Sequence, residues 1–311
     1  MLSVIIPSRC DEYLQKTIDD LISKAEGEIE VIVVLDGYWP STPIKDHPRV
    51  RIIHHGMQHD SPGMRVSINK GMALAKGEYV MKIDEHCMLD QGYDVKLAAD
   101  CEDNWVIIPR RYRLDAENWS IVEDGRPPVD YNTISYPYNV EDPLERGGFA
   151  GKEWKRPDRE NILIDDTVSC QGSCYFTTKK WWFETIGPLD DENYGPFTRE
   201  AQEVCFKSLL AGGEVKVNKK TWYAHLHKGK EGKKYGFSNA QYKVHQDKKE
   251  TGRLFCIDFW INNKWDKRVH DFEWMFEKFG LFPGWKETWK EDLIRDKAIE
   301  DAAYENFNNT R

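Results

Sequence analysis

Two hydrophobic periods alternate along the first hundred residues. Residues 2–6 (Leu-Ser-Val-Ile-Ile) form a short, nearly unbroken apolar run, as a buried strand would. Residues 11–24 instead space Leu14, Ile18, Leu21 and Ile22 along one helical face. Residues 30–35 are rich in β-branched side chains and end at Asp36-Gly37, and residues 50–54 read as a third strand. Ser61-Pro62 opens a predicted helix through Ala75, with Ser61 as its N-cap and Pro62 at the first helical position. A fourth predicted strand, 78–83, runs straight into Asp84-Glu85-His86. Strands alternating with helices predict a parallel sheet joined by right-handed crossovers. Ligands of such sheets sit at the carboxyl ends of the strands, which places Ser8, Arg9, Asp36 and Asp84 on one rim.

The pattern loosens over residues 112–160, which are rich in Pro, Gly, Tyr and Asp. It returns with a strand near 173–177 and a helix over 198–211 closed by Gly212-Gly213. Two short strands are predicted to lead to Ala224-His225-Leu226-His227. A polar glycine-rich loop (228–234) follows, then helix from about 237 with a break at Phe282-Pro283-Gly284. Residues 265–308 read as two amphipathic helices with Trp274, Phe276, Phe279, Trp285 and Trp289 on the apolar face. Docking on the preceding domain is their expected role and an oligomer contact the second. Frequent acids (Glu287, Glu291, Asp292, Asp296) argue against membrane-surface attachment.

A chain of 311 residues can bury one sizeable α/β core and keep an appended element. Twelve Trp and fourteen Tyr exceed what a core alone usually needs, leaving core packing and a sugar- or base-binding cleft both open. No run of eighteen apolar residues could span a bilayer, and the N-terminus begins strand-like without a basic leader. Seven Cys without a CxxC pair fit reduced thiols, so a cytoplasmic setting is expected. The net charge of −9 is uneven. Residues 216–253 hold eleven Lys or Arg against three acids, a local +8 that leaves −17 elsewhere. Such a block reads either as a solvated lysine-rich face or as a site for a polyanion such as DNA.

Asp84 and His86 stand two residues apart, and in extended backbone such residues point to the same side. A carboxylate and an imidazole can then share a cation. The mixed oxygen and nitrogen set favours Mn²⁺ over Mg²⁺, which prefers oxygen. A bound divalent ion would stabilise a pyrophosphate leaving group. Taken alone, the pair fits an Asp cap beside an exposed His better than a metal site. A nicotinamide-dependent dehydrogenase would need G-x-G-x-x-G after the first strand, where the chain has Pro7-Ser8-Arg9-Cys10-Asp11. Metal-ligating residues are too sparse for a zinc hydrolase.

The stretch Pro62-Gly63-Met64-Arg65-Val66-Ser67-Ile68-Asn69-Lys70-Gly71-Met72-Ala73-Leu74-Ala75-Lys76-Gly77-Glu78-Tyr79-Val80 leads directly into Met81-Lys82-Ile83-Asp84-Glu85-His86. With the preceding strands, it resembles the nucleotide-sugar-binding half of family-two glycosyltransferases. The Asp-x-His form, followed by Cys87, is similar to polypeptide N-acetylgalactosaminyltransferases, and the early segment resembles glycosyltransferases of bacteriophages. Further on, Gln171-Gly172-Ser173-Cys174, Gly187-Pro188-Leu189-Asp190, Glu200-Ala201-Gln202-Glu203 and Gly212-Gly213 before Ala224-His225 resemble the acceptor half of those enzymes.

The resemblance implies an α/β, GT-A fold: a Rossmann-like, mostly parallel mixed sheet flanked by helices, with a C-terminal helical extension. The GT-A domain would cover 1–230, divided into a nucleotide-sugar half (1–111), an irregular insertion (112–160) and an acceptor-side half (161–230). The basic loop and helical extension would be 231–311. It further implies a UDP-sugar donor bound by Pro7, Arg9, Asp36, Arg65, Asp84 and Gly172. A divalent metal, Mn²⁺ ahead of Mg²⁺, would sit on Asp84, His86 and His225, and Glu200 and Glu203 would serve in catalysis.

Ala201 departs from the pattern, because inverting relatives place an Asp base there and retaining ones an Asn. Glu200 could act as the base, or the reaction could retain configuration and need none. His227 is expected as a loop histidine near phosphate rather than a ligand, and His54, His55 and His59 as a solvated loop rather than donor contacts. Trp181 and Trp182 could stack on an acceptor sugar, with at least one in the core. The expected acceptor is a hydroxymethylated pyrimidine in phage-type DNA, held by the 216–253 block in an infected bacterial cytoplasm. Polysaccharide, lipid-linked glycan and protein acceptors are the alternatives, and an inactive sugar-nucleotide-binding module is the reading of another class.

Overall fold

The computed structural model describes residues 1–9, 12–57, 60–141, 147–195, 199–227 and 239–309. Its centre is a ten-stranded mixed sheet. The first half supplies β1 (Leu2–Ser8), β2 (Ile29–Asp36), β3 (Val50–His55) and β4 (Tyr79–Ile83), with β5 (Cys87–Leu89) close behind. Helices α1 (Leu14–Lys24), α2 (Met64–Leu74) and α3 (Tyr93–Asp100) lie among them. β1 pairs in parallel with both β2 and β4, and β2 with β3. The alternating, parallel αβ reading of the first hundred residues therefore holds.

β6 (Trp105–Asp115) begins the second half, with β7 (Ser120–Ile121) pairing against it. β8 (Asn132–Ile134) and β9 (Gly151–Glu153) form a separate small ribbon, and β10 (Ile164–Asp166) returns to the main sheet. β11 (Cys174–Thr178) lies antiparallel between β4 and β6. A single turn α4 (Lys179–Trp181) precedes α5 (Glu200–Leu210). β12 (Glu214–His225) runs parallel to β6, antiparallel to β10 and antiparallel to β5. The main path orders the sheet β10-β12-β6-β11-β4-β1-β2-β3. The chain closes with α6 (Asn239–Ile261), α7 (Trp274–Phe279) and α8 (Trp289–Asn309).

The pleat of the central strands divides the core in two. Val4 and Ile6 of β1, with Val31, Val33 and Leu35 of β2, face Leu14, Ile18 and Leu21 of α1 and Tyr93 and Leu97 of α3. Ile5, Ile32 and Val34 face the other way, onto Ile68 and Met72 of α2 and the helices that follow. Strands buried on both faces read as continuous apolar runs, which is why β1 and β2 are legible without alternation.

Several local expectations are corrected. Ser61 does not cap α2: its hydroxyl donates to Asp36 at 2.7 Å, and the helix starts after Gly63, whose φ of 107° only glycine adopts freely. The two short strands before His225 are one strand, β12, with a register shift between Asn218 and Trp222. β6 continues to Asp115, inside the segment read as irregular. The C-terminal apolar side chains face the domain as expected: Trp265, Phe272, Met275, Phe282, Trp285 and Trp289 join the same core cluster as α2 and α5. The buried Arg253–Glu300 pair, at 2.9 Å, ties α6 to α8. Among the described residues no helix is long and apolar enough to cross a membrane.

Candidate metal and donor site

The carboxyl ends of β1, β2 and β4 bring Ser8, Arg9, Asp36 and Asp84 to one rim, as parallel order requires. Asp84 follows β4, and its backbone N–H donates to Ser173 O at 2.9 Å. His86 lies two residues further on. His225, at the end of β12, reaches the same spot because β12 pairs with β5 and sets His225 opposite Cys87. The ligand atoms of Asp84, His86 and His225 all lie within 4.8 Å of one another. The two imidazole Nε2 atoms are 3.1 Å apart, and His225 Nε2 is 3.3 Å from an Asp84 oxygen. Neighbouring ligands held about 2.1 Å from one ion at right angles are separated by about 3 Å, so the spacing suits a shared cation. His225 Nδ1 finds no hydrogen-bond partner among the described residues.

Lys82, which sequence reasoning passed over, lies beneath this group. Its fully buried ammonium donates to Asp84 Oδ1 at 2.5 Å and to the carbonyl of Gly172. Burial opposes its charge, but Asp84 and Glu200 hold it protonated above the usual lysine range. Burial likewise works to raise the Asp84 carboxyl, yet Lys82 and the two histidines draw it well below the usual carboxylate range. Asp84 is thus ionised with Oδ1 occupied, leaving Oδ2 toward the histidines. Burial outweighs the pull of Asp84 on His225 and lowers its imidazole, which favours the neutral, ligating form.

The loop carrying Glu85 and His86 is pinned from the other side. The Glu85 carboxylate accepts from Ser8 Oγ at 2.5 Å and from Arg9 N at 3.0 Å. Thr17 of α1 donates its hydroxyl to Glu85 O and accepts from Cys87 N. On the rim, Asp36 accepts from Ser61 Oγ and Gly63 N, and Arg9 Nη1 donates to Asp36 O at 3.0 Å. Pro7 lies within buried β1. Each Asp36 oxygen keeps a second lone pair for a ligand.

Gly172 and Glu200 meet on the acceptor side. A Cβ on Gly172 would fall 2.5 Å from Glu200 Oε2, so only glycine fits without displacing that carboxylate. Glu200 is 3% exposed and opens α5, and its Oε1 has no hydrogen-bond partner among the described residues. Burial raises its carboxyl from the ordinary value, with Lys82 pulling only partly the other way.

Arg65 and Glu203 are not where the resemblance implied. Their side chains are 0% and 1% exposed and bind each other directly. Arg65 also stacks on Tyr194 at 4.2 Å, while Glu203 takes Asp190 N at 3.0 Å and Lys207 at 2.7 Å. An arginine and a glutamate buried this deeply hold α2 against α5. Trp182 is core, and Trp181 donates its indole N–H to Ser208, so neither forms an open stacking platform. His54 and His55 belong to β3 rather than a loop, with His54 stacked on exposed Trp39 at 4.0 Å, and His59 lies outside the described residues.

The residues missing from the sequence reading are Lys82, Glu85, Thr17 and, on β6, Arg111. Arg111 is 7% exposed, and its Nη1 abuts the Nε2 of His227, whose ring packs edge-on against His225 at 5.0 Å. The described part of the basic block is neutralised locally. Lys216 pairs with Asp166 at 2.6 Å, Lys220 with Asp100 at 2.8 Å, and Lys219 donates to Arg159 O at 2.7 Å. Residues 228–238, including the predicted glycine-rich loop, lie outside the described residues.

Residues 3–153 match the sequence profile of Glycosyl transferase family 2. A Drosophila melanogaster protein named as polypeptide N-acetylgalactosaminyltransferase 13 is 24% identical over 165 residues, covering 50% of this chain and 26% of its own length. The crystal structure of GalNAc-T7 with UDP, GalNAc and Mn²⁺ superposes with a TM-score of 0.65 at 14% identity, covering 90% of this chain and 56% of that one. S. aureus TarS gives a TM-score of 0.44 at 14% identity over 73% of this chain and 37% of its own, too weak to argue from. The chain thus spans about half of the solved relative and about a quarter of the curated one.

The chain has the GT-A fold, and its residues 3–153 are similar to family 2 glycosyltransferases.

Proposed function

We propose that this protein transfers a sugar from a uridine-diphosphate-type donor to an acceptor hydroxyl, using a divalent ion held by Asp84, His86 and His225. The observation that carries the reading is the convergence of those three ligand atoms from β4 and β12, 139 positions apart in the chain for the two histidines. The Mn²⁺ and UDP of the solved relative support it by analogy of fold. The bound ion supplies charge neutralisation at the diphosphate leaving group.

The chain's own residues take the remaining roles. Asp36 and Arg9 receive the nucleoside at the β1–β2 rim, where Asp36 has acceptor capacity for a uracil-type N–H. Lys82 fixes Asp84 with Oδ2 toward the histidines and ties it to the Gly172 carbonyl. Glu200, raised by burial, is suited to take the proton of an attacking hydroxyl, since a base works best with a proton affinity near the working pH. If Glu200 fills that role, Ala201 needs no counterpart of the family base and the reaction inverts.

For the acceptor, the described lysines of β12 are engaged locally and lend DNA no support of their own. A glycan or protein hydroxyl is the acceptor we favour, in keeping with the polypeptide transferase among the relatives. The test combines protein and Mn²⁺ with UDP-sugars and three acceptor panels: peptides, oligosaccharides and hydroxymethylpyrimidine DNA. Released nucleotide and acceptor mass are both read, with His86→Ala as control. A one-sugar mass gain lost in the variant supports the reading and names the acceptor, whereas silence across every donor turns it toward the sugar-nucleotide-binding module.

A further inference from the structure

Arg111 has an environment that its burial makes unusual. It lies on β6 opposite Tyr223 of β12, and Arg113, its neighbour on the same face, lies opposite His225. At 7% exposure its guanidinium forms no ion pair with a carboxylate among the described residues. Its side-chain partner is His227, and its Nε–H is buried without an acceptor. A buried guanidinium costs several kcal/mol unless an anion answers it. Arg110 and Arg113, its neighbours in sequence, both have one, in Asp130 and Asp124.

The charges around the metal group point to what the missing anion is. The carboxylates of Asp84 and Glu200 balance the ammonium of Lys82 and the guanidinium of Arg111. With Glu85, Asp36 and Arg9 counted as well, a divalent ion on Asp84, His86 and His225 leaves the site net positive. A diphosphate diester carries two negative charges.

We propose that Arg111 is a cationic contact for the diphosphate, on the β6–β12 side of the metal, as the donor-binding arginine that the resemblance had implied in Arg65. The inference rests on the nucleotide-sugar reading above and adds a residue to it. The planar guanidinium can grip two phosphate oxygens at once, in a geometry lysine cannot reproduce. His227, at the surface and resting on Nη1, is the group such an anion displaces.

The test measures binding to the full-length protein by calorimetry, with Mn²⁺ alone, with UDP and Mn²⁺, and with inorganic pyrophosphate and Mn²⁺. The variants are Arg111→Met and Arg111→Lys, and Arg113→Met serves as a charge-matched control on the same strand. Arg111→Met is expected to bind Mn²⁺ as the parent does while losing about tenfold to a hundredfold in affinity for both UDP and pyrophosphate. Arg111→Lys should recover part of the loss, and Arg113→Met should stay within about threefold of the parent. Unchanged UDP and pyrophosphate affinity in folded Arg111→Met overturns the proposal and leaves the transferase reading standing. A parent that binds pyrophosphate but not UDP, with the Arg111 loss intact, upholds the anion contact and overturns the uridine donor. A parent that binds neither overturns both.

Discussion

Replacing Arg65 separates a structural arginine from a donor-binding one. The side chain is fully buried, bound to Glu203 and stacked on Tyr194. Stranding a buried charge by deleting its partner costs about 3–5 kcal/mol. Arg65→Met removes the cation but leaves Glu203 its contacts with Lys207 at 2.7 Å and Asp190 N at 3.0 Å, so the penalty should fall short of that, at about 2–3 kcal/mol. Glu203→Leu removes the carboxylate that Arg65 binds in the core, and a larger loss, toward ~3–5 kcal/mol, is expected. In the double variant Arg65→Met/Glu203→Leu the stranded guanidinium is gone and Lys207 still reaches Pro188 O at 3.2 Å. It should therefore be more stable than Glu203→Leu alone, with a coupling energy of about 1–3 kcal/mol. Urea unfolding followed by tryptophan fluorescence gives the stabilities, and calorimetric titration of UDP with Mn²⁺ gives the binding. The expected result is a large stability loss with donor affinity unchanged in the variants that remain folded. An Arg65→Met protein that keeps its unfolding midpoint and loses UDP would show that this guanidinium meets the donor, and the assignment of a buried pair would be wrong.

Other outcomes follow from the same geometry. His86→Ala and His225→Ala should each weaken Mn²⁺ binding by more than about a hundredfold, read from the free-ion electron paramagnetic resonance signal, with circular dichroism unchanged. Because burial lowers the His225 imidazole, its neutral form persists below the ordinary histidine value of about 6.5. Mn²⁺ affinity should accordingly stay level as pH falls to about 6.5 and decline only beneath it, and a decline already complete at that pH would contradict the shift. Gly172→Ala pushes a methyl against Glu200 Oε2 and should cut turnover with Mn²⁺ binding preserved, whereas equal loss of both would place the damage at Lys82 and Asp84 instead. Truncation after residue 262 withdraws Trp265, Phe272, Met275, Phe282, Trp285 and Trp289 from the core, at about 1.5–3 kcal/mol for each large side chain. That protein should aggregate on expression, and a soluble, cooperatively melting product would show the C-terminal helices to be an independent addition.

Much of the donor half was legible because its information is local. A strand buried on both faces must be apolar throughout, a crossover helix must show its period, and parallel order puts every strand's end on one rim. Ser8, Asp36 and Asp84 could therefore be grouped from the chain alone. The pairing of Asp84 with His86 needed only the two-residue repeat of extended backbone. His225 is different. Nothing in the spacing reaches across 139 positions, and only the ordered resemblance pointed to it until β12 was seen paired with β5.

The arginines mark the limit. Arg65 and Arg111 are the same residue type near the same site, and the chain offers no local sign of which one meets a carboxylate. Helix α2 turns Arg65 inward, and only the packing of α5 supplies Glu203 there to neutralise it. β6 sets Arg111 opposite Tyr223 with its guanidinium on His227, and no carboxylate among the described residues pairs with it. The same holds for Lys82, whose role depends on the Gly172 carbonyl arriving from a distant loop. Periodicity determined which segments are strands and helices, and therefore the rim on which chemistry could occur. Whether a charge on that rim serves the fold or a ligand depended on its counter-charge, which only the tertiary structure brings from elsewhere in the chain, because a buried ion is stable only beside a partner.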